Sequence, residues 1–496
     1  MEFLSYEEKA AYELMRLFYS RGYVRVRPGR FQEYDLFAEN RSFHNINSVI
    51  TFMDADGRLM ALKPDVTLSI IKNTSDTSDI QRLYYADEVY RLSRENREYK
   101  VLNQAGVELI GGDTADANAE IVALAIESLG ITGKNAVLDI SHMGFLSGLL
   151  DGIDEKKKIL ELLHSKEINA GTLAAVGLGS AASERVLTLA SLRGSAAECL
   201  DRAKALILND EMRNAFDELA QIDADVNIDF SMVNDLDYYN GLVLRGYIEG
   251  VPSAVLSGGR YDGLMRRMGK KNGAAGFAVT LNNLRSAENA APASDGWVSV
   301  ALPKGRLGDS ARKLIGSPVN DDGRKLIVED EANKLRYFLV KPSDVAIYVE
   351  RGAADIGVVG KDTLLENRPD VYELATLDIG KCRVSVASPE GFAENPGIPL
   401  RAATKYVNIA KDYYASLNRE VEIIKLSGSI ELAPLLGLSD VIVDIVETGS
   451  TLRANGLRVT ADIADISARL IANKSAYKFK ARRIDEIAAK VNGGKR

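Results

Sequence analysis

Apolar positions near the start of the chain recur every three to four residues. Ala10, Leu14, Leu17 and Phe18 fall on one face of a predicted helix. Ser5 and Glu8 have capping-box spacing ahead of that face, and Gly22 is a stop signal behind it. The pattern then shortens to strands and turns. In VITFMDADGRLMALKP, Asp56-Gly57 reads as a hairpin turn. From about Lys134 to Asp225, Ala/Leu/Glu patterns such as LDRAKALILNDEMRNAFDELAQ predict a helix-dominated region. Strand-like segments return at YYNGLVLRGYIEG.

The clearest break is SAENAAPASDG, Ser286 to Gly296, which is small, polar and carries Pro292. Beyond it strands and helices alternate. WVSVALPKG, ADIGVVG, VEIIKLSG, DVIVDIVETG and LIAN read as strands, and DVAIYVERG reads as a helix ending at Gly352. That alternation predicts parallel α/β lobes.

Composition narrows the function. The 496 residues carry 62 Lys+Arg against 70 Asp+Glu, a formal charge of −8, with no basic tail. General nucleic-acid binding is disfavoured, because phosphate neutralisation dominates it. The two cysteines, Cys199 and Cys382, make neither a disulfide framework nor a CxxC metal site. His44, His142 and His164 show no metal spacing and read as surface or packing residues. The N-terminus lacks signal-peptide character and no apolar run is long enough for a bilayer, so a cytoplasmic location without membrane contact is expected.

Three stretches of the second half suit phosphate. In DVIVDIVETGSTLRANGL an apolar strand interrupted by Asp444 feeds Glu447, Thr448, Gly449, Ser450 and Thr451, with a helix expected from Leu452. Free backbone N–H groups and a helix dipole attract phosphate there, and the hydroxyls add donors. Asp444 and Glu447 suit sugar hydroxyls, or Mg²⁺ shared with a pyrophosphate. IIKLSGSIELAP places Ser427, Gly428 and Ser429 between strand and helix, with Glu431 in the helix's first turn. VALPKGRL places Lys304 and Arg306 just after a strand.

In this order, with YVERGAADIGVVGKDTLLE, LDIGKCRVSVA and ATKYVNIAKDYY, these motifs resemble ATP phosphoribosyltransferase over essentially all of Trp297 to Arg496. The resemblance implies a two-lobed α/β fold of periplasmic-binding-protein type, with the second lobe at about 383–446. It implies transfer of phosphoribosyl from phosphoribosyl pyrophosphate to N1 of ATP, in histidine biosynthesis. Mg²⁺ would travel with the substrate rather than in a protein-only site. By resemblance Glu447 to Thr451 hold the 5-phosphate and ribose with Asp444 nearby. Lys304, Arg306 and the Ser427–Glu431 stretch face ATP or pyrophosphate, with Arg336 and Lys341 as further cations of the cleft. Only about forty residues follow RANGL, too few for a C-terminal regulatory domain, which matches the short form of the enzyme.

The first half resembles the catalytic core of histidyl-tRNA synthetase, a class II synthetase, through KPDVTLSI, RLYYADEVYR, LNQAGVELIG, DLDYYNG and SGGRYDGL. The resemblance implies an antiparallel-sheet domain at 1–285, joined by a linker at 286–296 to the transferase at 297–496. Asp65 stands where the synthetase has the glutamate that holds the histidine α-amino group, with Thr67 beside it. Gln104 and Glu108 fall on amino-acid pocket positions, Tyr239 and Tyr261 on those that embrace the imidazole, and Arg91 is retained. Two arginines of the synthetase fall on Asn234 and Asn283. Arg285 lies about 200° further round a helix, facing away.

Losing both cations removes charge stabilisation from adenylate formation. The expectation is a histidine-binding regulatory domain without ligase activity, fused to its transferase. A pure assembly scaffold, or a residual tRNA-ligase or tRNA-binding role, are the alternatives; histidine-dependent ATP–pyrophosphate exchange separates the last from the others. Separate subunits of these two kinds form mixed octamers, so the fusion is expected to be a homo-oligomer, a tetramer in preference to a dimer.

Overall fold

The computed structural model describes residues 4–40, 49–92, 98–233, 238–288, 296–316, 325–395 and 397–492. The chain divides into two units, Met1–Ser294 and Asp295–Arg496.

In the first unit the opening helix, Tyr6–Ser20, is capped as its local sequence dictates. Ser5 Oγ accepts from the Glu8 amide, and the Ser5 amide donates back to the Glu8 carboxylate. Gly22 follows at φ +83, a backbone that glycine adopts without strain. Strand β1 (Val24–Arg25) comes next. Strands β2 (Phe31–Glu33), β3 (Thr51–Met53) and β4 (Leu59–Leu62) form a small sheet. Its β3–β4 turn holds Asp56-Gly57, with Asp54 Oδ1 accepting from the amides of Asp56 and Arg58.

The main sheet is built from β1 with β5 (Gln81–Leu92), β6 (Tyr99–Ile110), β7 (Ala136–His142), β8 (Arg193–Ser195), β9 (Asn227–Asp229), β10 (Leu242–Ile248), β11 (Leu256–Arg260) and β12 (Ala274–Thr280). Its order is β1-β5-β6-β12-β11-β10-β7-β9-β8, antiparallel from β5 through to β7. Six α-helices between Met143 and Ala220, with a short 3-10 turn at Lys204–Leu206 and strand β8, fill the interval from β7 to β9.

Side chains alternate across a strand, so each strand of this sheet serves two environments. Ala105, Val107 and Leu109 of β6, with Phe277 and Val279 of β12, pack under the first helix. Phe18 meets Tyr84 and Phe277 edge-on or tilted, with centroids 6.0 and 6.1 Å apart. The other parity, Tyr85 and Val89 of β5, Ile110 of β6 and Ala274 of β12, packs with the helices Thr67–Asn73 and Asp262–Arg267. Gln104, Gly106, Glu108 and Gly276 share that second parity.

The second unit has two lobes. The first contains β13 (Val298–Pro303), β14 (Ile327–Asp330), β15 (Leu335–Val340), β16 (Ile356–Gly360) and β17 (Val371–Thr376). The second contains β18 (Cys382–Pro389), β19 (Leu400–Thr404), β20 (Val421–Lys425), β21 (Val441–Val446) and β22 (Leu457–Ile466). The chain then returns to the first lobe as β23 (Ala468–Asn473) and a closing helix, Lys474–Val491.

Neither sheet is wholly parallel. In the order β14-β15-β13-β16-β23-β17 only β15, β13 and β16 run parallel as neighbours, because β23 enters after the second lobe in the opposite sense. In β20-β19-β21-β18-β22 the parallel set is β20, β19 and β21. The second lobe also runs past 446, since β22 pairs along β18 and carries it to Ile466.

Candidate functional sites

The first site lies on the second-parity face of the large sheet. Glu108, two residues before the end of β6, is 2% exposed. Its two carboxylate oxygens accept from Thr67 Oγ1 at 2.6 Å and the Tyr261 hydroxyl at 2.5 Å. Burial pushes its pKa up to about 8, against the lowering effect of those two donors, and Asp65 nearby adds to the rise.

Glycines make the room. A Cβ on Gly276, directly across from Glu108, would fall 2.0 Å from Glu108 Oε2. One on Gly106 would meet the Tyr85 ring at 2.6 Å, and one on Gly259 the Tyr239 ring at 2.6 Å. The glycine of GFAVTLNN is therefore a requirement of the acid opposite it.

Around Glu108 stand the other expected residues. Asp65 Oδ1 accepts from the Leu68 amide at 3.1 Å, and Arg91 approaches Asp65 at 3.9 Å while its Nε donates to the Pro64 carbonyl at 2.9 Å. Gln104 is 8% exposed on the same strand face, four residues along from Glu108. Tyr239 packs edge-to-face on Tyr238 at 4.5 Å, and Tyr238 lies 6.4 Å from Tyr261. Burial, reinforced by Glu108, holds the phenols of Tyr85, Tyr238, Tyr239 and Tyr261 well above the usual tyrosine range. Of the six other sequence-predicted residues, Thr67 and Tyr261 bond Glu108 directly, and Asp65, Arg91, Gln104 and Tyr239 lie on the same side of the sheet.

The sequence reading missed Tyr85 and Tyr238, although each doubles a tyrosine, in LYYADE and DYY. It also missed Lys63, fully buried, whose ammonium meets Asp87 at 2.5 Å and fixes the strand leading to Asp65.

Asn283, on the helix Leu281–Glu288, donates to the Ala254 carbonyl at 2.9 Å, and Asn282 accepts from the Asn103 amide at 2.6 Å. Both amides are engaged with backbone, and neither position carries a cation. Arg285 is exposed. Asn234 and His44 lie outside the described residues. His142 is buried, accepting from the Gly144 amide and meeting Glu218 at 3.1 Å. His164 meets the Val233 carbonyl at 3.3 Å.

The second site is in the second unit, at the C-terminal ends of parallel strands, where open α/β sheets present their loops. β21 ends at Val446 and leads into the Glu447–Thr451 loop. Gly449 turns it at φ +70, and the hydroxyls of Thr448 and Ser450 lie 3.0 Å apart. The following helix starts at Ser450, earlier than Leu452, and ends at Ala454. Five residues carry little macrodipole, so attraction for an anion here rests on amides and hydroxyls instead.

Asp444 is raised from its ordinary pKa, chiefly by burial, with Glu431 and Asp362 among its neighbours and Lys405 opposing them. β20 ends beside β21's neighbour and leads to Ser427, Gly428 and Ser429, all exposed. Ser429 holds φ +50, a left-handed residue that gives the loop a concave backbone. Glu431 immediately precedes the short helix Leu432–Leu435, without a side-chain capping bond.

From the first lobe, β13 ends at Pro303, and Lys304 and Arg306 follow it, exposed. Arg306 reaches 3.6 Å from Glu447 across the two lobes. Lys341 follows β15 at the same sheet edge, since Val340 pairs with Pro303.

Arg336 is not part of this group. It pairs with Ser299 at the opposite end of β13, about 13–17 Å of strand away. There it bonds Glu329 at 2.7 Å and lies over the Trp297 ring. The register moves it out of the cleft.

A cation missed by the sequence reading, Lys405, follows β19 just as Lys304 follows β13. Among the described residues no cluster of three His, Cys, Asp or Glu side chains could hold a metal. Nor is any helix among them long and apolar enough to cross a membrane.

Comparison with known proteins gives both halves a counterpart. The profile of the family described as Histidyl-tRNA synthetase matches residues 2–284, and that of ATP phosphoribosyltransferase matches residues 341–493. The chain is 60% identical over 190 residues to an ATP phosphoribosyltransferase of Brachyspira hyodysenteriae, covering 37% of this chain and 92% of that protein. It is 52% identical over 199 residues to the same enzyme of Clostridioides difficile, covering 38% and 95%. A solved structure described as an ATP phosphoribosyltransferase regulatory subunit/histidyl-tRNA synthetase from Bacillus halodurans aligns with TM-score 0.51 at 23% identity. It covers 68% of this chain and 94% of that one, a likeness of fold.

Proposed function

Because the chain belongs to the ATP phosphoribosyltransferase family through its C-terminal unit and to the histidyl-tRNA synthetase family through its N-terminal unit, we propose that the first unit senses free histidine and sets the activity of the second. The second unit is an ATP phosphoribosyltransferase catalytic domain of the short form, an enzyme of histidine biosynthesis. The reaction joins N1 of ATP to C1 of phosphoribosyl pyrophosphate and releases pyrophosphate.

No covalent intermediate is needed. Positive charge grows on the ribose and negative charge on the leaving pyrophosphate, so positioning and electrostatics carry the rate. In this reading the amides and hydroxyls of Thr448, Gly449, Ser450 and Thr451 cradle the 5-phosphate. Asp444 and Glu447 hold the ribose hydroxyls. Lys304, Arg306 and the Ser427–Ser429 loop face ATP or the departing pyrophosphate. Mg²⁺ enters with phosphoribosyl pyrophosphate and supplies charge neutralisation; the carboxylates of Asp444 and Glu447 are hard oxygen donors that fit it.

The observation that carries the sensing role is the Glu108 site. A buried acid with two hydroxyl donors, ringed by four tyrosines and Asp65, suits a small ligand bearing an aromatic ring and a cation, whose charge would draw Glu108 into its ionised form. The engagement of Asn283 with backbone supports loss of adenylation, because no charge there meets ATP phosphates. Inhibition is then allosteric, through two distinct sites with reciprocal coupling. The chain acts in the cytoplasm as a homo-oligomer, a tetramer in preference to a dimer.

Titration calorimetry with free histidine tests this reading. The full chain should bind histidine, Asp65→Ala should lose that binding, and histidine should no longer inhibit the variant. Unchanged histidine inhibition in Asp65→Ala would contradict the pocket assignment.

A further inference from the structure

We infer that Lys405 binds the pyrophosphate group of phosphoribosyl pyrophosphate. The inference rests on the reading above that the Glu447–Thr451 loop takes the 5-phosphate. β19 lies between β20 and β21, all three parallel, so Lys405 emerges between the Ser427–Ser429 loop and the Glu447–Thr451 loop.

The strand end that presents it is firmly fixed. The buried Thr404 hydroxyl donates to the Val443 carbonyl of β21 at 2.6 Å and accepts from the Tyr406 amide at 2.8 Å. Tyr406 is tied in turn, its hydroxyl donating to Asp362 of the first lobe at 2.9 Å. The Lys405 ammonium lies 4.7 Å from the centre of the Tyr406 ring and 3.9 Å from Asp444, and its side chain is 44% exposed. It is held on an aromatic shelf, beside the acid that suits the ribose, and still open to a ligand.

Geometry selects which phosphate it meets. With the 5-phosphate on the Gly449 loop and the ribose over Asp444, the C1 substituent projects to the other side of the sugar. Adjacent strands are about 4.8 Å apart, roughly the span of a ribose ring. β21 lies between β18, which is antiparallel and starts at this edge, and β19, which is parallel and ends at it; Lys405 follows β19 and is the cation that reaches Asp444.

The test uses the full chain and two product-like inhibitors competing with phosphoribosyl pyrophosphate: inorganic pyrophosphate and ribose 5-phosphate. Lys405→Met should weaken inhibition by pyrophosphate roughly ten-fold or more, the usual scale for losing one charge-assisted contact. It should leave inhibition by ribose 5-phosphate unchanged, and Lys405→Arg should restore most of the pyrophosphate affinity. Thr451→Ala is the reciprocal control and should weaken ribose 5-phosphate instead. Pyrophosphate inhibition within two-fold of wild type in Lys405→Met, with Thr451→Ala behaving as expected, would overturn the inference alone. If Thr451→Ala leaves ribose 5-phosphate inhibition intact, the loop assignment falls, and the inference with it.

Discussion

Replacing Glu108 by glutamine removes a charge site while keeping shape and most hydrogen bonding. The amide oxygen can accept from Tyr261, and the Thr67 hydroxyl can turn to accept from the new N–H₂. Glu108 has its folded pKa raised from 4.5 to about 8 by burial. The native state therefore holds a proton that the unfolded chain releases over that window. The resulting stability is fully present below about pH 4.5 and is lost as pH rises through about 8. At 1.36 kcal/mol per pKa unit the whole window is worth roughly 5 kcal/mol, of which about 3 kcal/mol disappears between pH 6 and 9. Glu108→Gln has no such loss.

The assay is scanning calorimetry of both proteins, without histidine, from pH 6 to 9. The wild-type transition of the N-terminal unit should fall by several degrees relative to that of the variant as pH rises. Curves that stay parallel would refute the claim that Glu108 is a buried acid protonated near neutrality.

Two further substitutions probe the same geometry. Gly276→Ala would put a methyl 2.0 Å from Glu108 Oε2; it should abolish histidine binding in calorimetry and lower the melting temperature of the N-terminal unit. Arg336→Gln alters a side chain that lies on Glu329 and Trp297 at the far end of the first lobe's sheet. It should change neither Michaelis constant by more than two-fold, and stability by no more than about 0.5 kcal/mol.

The parts legible in the sequence are those settled by local chemistry. The capped first helix, the Asp56-Gly57 turn, and the loops after β13, β20 and β21 each depend on a few consecutive residues. Glu108 was legible too, through the resemblance of LNQAGVELIG to the amino-acid pocket of histidyl-tRNA synthetase. What escaped depends on pairing between distant segments. Tyr85 joins the pocket only because Gly106 lies directly opposite it in β6. Arg336 leaves the cleft because of its register with Ser299. β22 reads as polar because much of it is exposed, and only its pairing with β18 places it in the second lobe. β23 turns an expected parallel sheet into a mixed one by returning after the second lobe is complete.

The central claim joins two activities in one chain, a transferase and a histidine sensor. It is tested most directly by following phosphoribosyl-ATP formation from ATP and phosphoribosyl pyrophosphate with Mg²⁺, in a titration of free histidine up to millimolar concentration. The account predicts formation that histidine suppresses to a low plateau. Formation indifferent to histidine at every concentration would contradict it.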